Sequence, residues 1–247
     1  MRLVLFCLTL AATAAQAADF EGIITGAPVG QTHVQAMKMY LAPMGVRMEA
    51  TGEGEKASGG FTITMVWQAS DPNNFYMLNS ANKTYLKHDL SKVQQAASTA
   101  DAPKVEKLGS ATFLGHNVQK VKVTFAGGRS QELWVDNALH FPASALALFG
   151  QERGPQMSPW KALEKAGVTG IPLKDLDGDG KSGWEATSVE KKSLSASLFQ
   201  IPPDFHEAKS ALEMLPAQQQ AAIKAKMDAM TPEQRAKMEE MMKKATQ

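Results

Sequence analysis

Between Asp19 and about Leu194, apolar side chains recur at every second position, and turn residues punctuate the runs. A period of two belongs to the β-strand, whose successive side chains point to opposite faces. A chain patterned in this way buries its apolar residues by building a sheet with one apolar face. Met37, Met39 and Leu41 oppose Lys38 and Tyr40, and Val46 and Met48 oppose Arg47 and Glu49, so 34–41 and 45–50 read as a half-buried antiparallel pair. Phe61, Ile63, Met65 and Trp67 alternate with Thr62, Thr64 and Val66, giving the bulkiest apolar face in the chain. Residues 75–78 and 83–87 flank Asn79-Ser-Ala-Asn82, a turn by composition. Val121, Val123 and Phe125 face away from Lys120, Lys122 and Thr124 ahead of a Gly127-Gly128 turn and a return strand over 131–136. A last hairpin runs from Thr169 through Asp177-Gly-Asp-Gly180 to Leu194.

Helical signals are sparse before the C-terminus. From Asp89 to about Ala100 the alternation gives way to Ala, Gln and Ser, which leaves helix and loop both open. Phe141 to Phe149 is short and apolar, and Ser158-Pro159 opens a helix that Gly167 stops. Both helices are expected to cover the sheet. After Pro202-Pro203 the chain turns to Ala, Gln, Lys, Glu and Met, all good helix formers. Thr231-Pro-Glu-Gln234 is a capping box, so one helix ends near Met230 and another begins at Pro232. Met238, Met241, Met242 and Ala245 then share one face.

The first seventeen residues carry Arg2, an apolar run from Leu3 to Leu10, and Ala15-Gln16-Ala17, the small-x-small pattern of a signal-peptidase site. The run is shorter than the roughly twenty apolar residues needed to span a bilayer. The expected organisation is a signal peptide over 1–17, a β domain over 18–205 and a Met-rich helical tail over 206–247. Export would remove Cys7, the only cysteine, so thiol catalysis, disulfides and cysteine metal sites are excluded from the mature chain. No lipobox surrounds Cys7, and the expected product is free in the periplasm or secreted. Loss of Arg2 leaves 25 basic and 25 acidic residues, with no basic footprint for nucleic acid.

Few motifs point to chemistry. Asp175, Asp177 and Asp179 match the first half of a calcium loop, but position twelve is Ala186 where a bidentate Glu is needed. An acidic, Gly-rich hairpin turn accounts for every residue, and calcium is the weaker reading. Ser80-x-x-Lys83 and Ser188-x-x-Lys191 faintly echo penicillin-recognising enzymes, but neither serine opens a helix. Five histidines show no paired metal spacing. Thioethers suit Cu(I), yet these methionines also satisfy core periodicity, and flexible apolar lining is the simpler role. No cofactor is expected, and no nucleophile, base and orienting group can be assembled.

Several short pieces in order carry a resemblance: Asp19-Phe-Glu-Gly22, Val46-Arg-Met-Glu49, Phe75-Tyr-Met-Leu78 leading to Lys83-Thr-Tyr85, Leu114-Gly-His-Asn117, Glu132-Leu-Trp134 and Ser197-Leu-Phe-Gln-Ile-Pro202. Together they resemble the bacterial domain-of-unknown-function 4412 family, itself similar to LolA-like lipoprotein carriers. Val118 stands where many relatives carry a cysteine. The resemblance implies an α+β fold, a curved antiparallel half-barrel with short covering helices, whose concave apolar face holds acyl chains or an amphiphile. The candidate lining is Met37, Met39, Phe61, Ile63, Met65, Trp67, Val121, Val123 and Phe125. The expectation is a non-enzymatic carrier of a lipid or lipoprotein-like amphiphile. The alternative is an envelope-stress chaperone or interaction module acting through the C-terminal helices, since Thr231-Pro-Glu-Gln234 resembles the motifs of Spy-type chaperones.

Overall fold

The structure, a computed structural model, describes residues 19–30, 33–53, 60–90, 102–149, 159–215, 217–235 and 238. The expected signal peptide over 1–17, residues 91–100, Ser158, and Met241, Met242 and Ala245 lie outside the described residues. The described residues form one sheet from β1 (Gly22–Val29), β2 (Val34–Ala42), β3 (Gly45–Glu53), β4 (Gly60–Gln68), β5 (Asp71–Asn79), β6 (Thr84–Asp89), β7 (Lys104–Phe113), β8 (His116–Thr124), β9 (Ser130–His140), β10 (Gly170–Asp177), β11 (Gly183–Lys191) and β12 (His206–Glu207). Their order is β12-β6-β5-β4-β3-β2-β1-β11-β10-β9-β8-β7. Two antiparallel meanders, β1 to β6 and β7 to β11, meet where β11 lies beside β1. Among the described strands, β12 alone runs parallel to its neighbour, β6. The sheet is curved and unclosed.

Helices α1 (Ala143–Phe149) and α2 (Trp160–Lys165) follow β9. Gly167, at φ +70°, ends α2 as its sequence predicts. Ser144 anchors α1 by donating its hydroxyl to the Ala42 carbonyl at 2.7 Å. Ala145 thereby joins a buried cluster with Phe20, Ile24, Leu41, Val46 and Trp67. Leu163 of α2 packs over a second cluster, with Val121, Val123, Leu133, Val135 and Val168.

The back of the sheet is covered by the chain's own C-terminal stretch. Ile201 and Phe205 pack on Val66, Tyr76 and Leu78. Arg47 and Gln68 donate to the carbonyls of Leu198 and Phe199, and Asn79 and Asn82 in the β5–β6 turn hold those of Glu213, Met214 and Leu215. The segment expected to begin the tail at His206 thus opens by adding a strand to the sheet. Helix α3 (Ala217–Asp228) follows, and the capping box forms as expected: Thr231 N donates to Gln234 Oε1 at 3.1 Å, and Gln234 N to Thr231 Oγ1 at 3.4 Å. Arg235 caps α3 by donating to the carbonyls of Met227 and Asp228.

Two strands escape the alternation. The free edge strand β7 displays Lys104, Glu106 and Lys107 and a bulge beside Gly109, at φ +119°. Charge and bulge discourage pairing with another chain, and they also blur the sequence pattern. Central β1 contains Gly26 and Pro28, both poor strand residues. Pro28 lies past the last β1–β2 pair, Gly26 with Met37, so its missing N–H breaks no rung between those strands. Gly26 is required by a close approach: a Cβ there would lie 2.3 Å from the Trp184 indole.

Gly26→Ala should therefore destabilise the protein by about 1–3 kcal/mol through overpacking. In a Trp184→Ala background the same change should be nearly neutral. Urea denaturation of the four proteins of this double-mutant cycle measures the coupling.

Candidate functional site

Strand register assembles the concave face. Residues directly opposite one another in neighbouring strands share a face. Pairing Ile24 with Met39, Met39 with Met48, Met48 with Met65 and Met65 with Met77 makes a row of four methionines across β2 to β5. A second row runs through Leu41, Val46, Trp67, Phe75 and His88. His88 stacks on Phe75 at 4.5 Å, and burial pushes its pKa down, which keeps the ring neutral near pH 7. A third row joins Met37, Ala50 and Ile63.

Among the described residues, helices α1 and α2 cover this face only in part, and two apolar hollows lie in it. The first, about 210 Å3, is lined by Met37, Met39, Met48, Phe141, Trp160 and Trp184, with Asp175 in its wall. The second, about 200 Å3, is lined by Met48, Met65, Trp67, Phe75 and Leu148 of α1. Met48 borders both. Pockets for small organic ligands run from about 300 to about 1,000 Å3, so each hollow alone is small, and a ligand of that size would have to span Met48.

The predicted lining residues do not form one site. Met37 and Met39 line the first hollow, Met65 and Trp67 the second. Ile63 lies in the same face, 39% exposed. Phe61 pairs with Gly52 in β4, and its side chain lies outside the described residues. Val121 and Val123 are fully buried, with Leu163 packed on them, and Phe125 joins that cluster. Helix α2 already covers Val121 and Val123, which have no surface left for a ligand. Sequence reasoning left Met48, Phe75, Leu148, Phe141, Trp160 and Trp184 out of the site. Alternation puts Met48 on the apolar face with Val46, but only the β1–β11 and β10–β11 pairings bring Trp184 beside Met37.

The three aspartates serve separately. Ser182 Oγ donates to Asp177, and the Lys181 amide donates to Asp179 Oδ1 at 3.0 Å, so these two stabilise the β10–β11 turn. Asp175 instead lies opposite Trp184 and faces the first hollow. Among the described residues, no group of three or more His, Asp or Glu side chains is placed to hold a metal. Burial raises the Asp175 pKa, the Asp177 charge raises it further, and Arg129 pulls it down.

A second polar feature escaped sequence reasoning because its members are twenty residues apart on neighbouring strands. His116 Nδ1 donates to Asp136 Oδ2 at 2.7 Å, and Asp136 Oδ1 also accepts the Ala138 amide. Asp136 is 3% exposed, and the pair borders an open concavity of about 460 Å3. No described hydroxyl is hydrogen-bonded to the imidazole, so the geometry gives an oriented base without an attached nucleophile.

The Asp175 shift fixes a sign. A carboxyl whose folded pKa is raised favours the native state when protonated and opposes it when ionised, so its contribution is present below the ordinary aspartate pKa and is lost as pH rises through the folded value. Asp175→Asn should raise Tm at pH 7, and the gain should disappear below about pH 4. Thermal melts of both proteins from pH 3 to pH 8 measure it.

No curated protein matches the chain. Among solved structures, an uncharacterised conserved protein from Thermus thermophilus is similar at 12% identity and TM-score 0.44, covering 76% of this chain and 90% of that one. A domain from Vibrio parahaemolyticus, described in terms of outer membrane lipoprotein sorting, is similar at 8% identity and TM-score 0.30, covering 72% and 88%. Both likenesses are too loose to bear on function. A family model described as "Domain of unknown function (DUF4412)" matches residues 20–205, from the buried Phe20 to the Phe205 that seals the back of the sheet. The chain belongs to that family.

Proposed function

We infer that the chain is an exported, non-enzymatic binding or carrier protein that holds a lipidic or amphiphilic ligand on the concave face of its sheet. The observation that carries this reading is the methionine row beneath two apolar hollows that share Met48 as a lining residue. Binding would bury alkyl surface at roughly 25 cal/mol per Å2. Flexible thioethers repack around chains of different shape, which favours breadth over selectivity. The export signal read in the sequence supports a working place between membranes. No described helix is long and apolar enough to cross one.

The helical tail is a separate segment in this reading. Phe205 lies in the cluster on the back of the sheet, and Asn79 and Asn82 hold the carbonyls of residues 213–215 at the β5–β6 turn.

Binding of a fluorescent fatty-acid probe tests the function. The full-length mature chain should bind it, and Met48→Glu should weaken binding at least tenfold by placing a charge between the hollows. Lys122→Ala, an exposed position on the other face of β8, should leave it unchanged. Equal binding by all three proteins, or binding by none, would overturn the reading.

A further inference from the structure

The chain already holds one of its own ammonium groups by a recognisable chemistry. Lys174 Nζ lies 2.6 Å from Glu185 Oε2, 5.1 Å from the centre of the Trp134 ring and 5.7 Å from that of Phe113. Carboxylate and aromatic faces together offset the desolvation of a cation. One residue further along β10, the backbone turns Asp175 to the opposite face. There the same ingredients recur: Trp184 directly across the strand pair, Trp160 and Phe141 in the wall of the same hollow, and the thioethers of Met37, Met39 and Met48. Trp160 and Phe141 hold each other edge to face at 5.4 Å, which fixes their ring planes.

This second set has a carboxylate and, among the described residues, no cation of its own in direct contact. No described donor hydrogen-bonds Asp175, and the carboxyl titrates as a group short of compensation, with Arg129 acting on it only through space. Lys38 borders the hollow but belongs to the other face of β2, where it pairs in register with Glu49. An isolated carboxylate in an apolar hollow opposes folding, and a bound cation would remove that opposition.

We propose that the hollow around Asp175, Trp160, Trp184 and Phe141 is an ammonium cage, which takes the cationic head of an amphiphile whose alkyl chain passes over Met48 into the second hollow. This rests on the amphiphile-binding reading and specifies the charge and chemistry of the head group. Aromatic faces and thioethers suit a methylated ammonium in particular, since its surface is apolar and its charge diffuse.

The test compares three C12 amphiphiles below their micelle concentrations: dodecyltrimethylammonium, dodecyl maltoside and dodecyl sulfate, titrated calorimetrically into the full-length mature protein. The cation should bind at least tenfold more tightly than the maltoside, and the sulfate more weakly than either. Asp175→Asn, a change expected to stabilise the fold, should reduce the cation's advantage to less than twofold and leave the maltoside Kd unchanged. Trp160→Leu should also reduce that advantage while preserving maltoside binding. If the three amphiphiles bind alike, or if the cation's advantage survives Asp175→Asn, the cage is wrong and amphiphile binding stands. If none binds, both fail.

Discussion

Strand register is the constraint on which this molecule depends. With a side-chain period of two, a slip of one residue would carry Met39, Met48, Met65 and Met77 to the back of the sheet and bring Tyr40, Arg47, Val66 and Tyr76 to the front. Two features oppose such a slip. Two-residue connections, Pro43-Met44 and Ala69-Ser70, fix the β2–β3 and β4–β5 pairings. The back face also has its own fixed contacts: Tyr40 and Arg47 both bond Glu49, Tyr76 bonds Asp71, and Phe205 and Ile201 pack on Val66 and Tyr76. The register that exposes a methionine row on one face is therefore held from the other.

A sheet apolar on both faces needs two covers, and the chain supplies them unequally. The back is sealed at the β4–β6 end by residues 198–205, through packing of Ile201 and Phe205 and hydrogen bonds to the Leu198 and Phe199 carbonyls. The front receives only α1 and α2 among the described helices, of seven and six residues. Helix α2 closes the β8–β10 region so completely that Val121 and Val123 have no exposed surface, while α1 reaches the second hollow with Leu148. Among the described residues, what remains uncovered on this face is the pair of hollows that Met48 borders.

In the first hollow, Asp175 opposes stability while Lys174, its neighbour, is compensated. The difference follows from β-geometry alone: adjacent residues face opposite sides, and Glu185 on β11 shares the face of Lys174, whereas Trp184 shares that of Asp175. A carboxylate placed among tryptophans and methionines with no described hydrogen-bond donor is out of keeping with a simple core, and it gives an otherwise apolar groove one polar end.

Much of the architecture was legible in sequence. Alternation identified the strands that carry strong one-sided patterns, Gly127-Gly128 and residues 177–180 marked their turns, and Thr231-Pro-Glu-Gln234 marked a helix start that forms as read. It missed β1, whose Gly26 exists to admit the Trp184 indole, and β7, whose edge position permits charge on its exposed side. It also missed β12, because two residues are too few to show a period. The sequence by itself determined which residues face together along each strand, because that depends only on a local period of two. Which strands lie side by side, and therefore whether Trp184 meets Met37 or whether α2 covers Val121, was decided only by the tertiary structure, because those contacts join residues far apart in the chain and no local pattern records them.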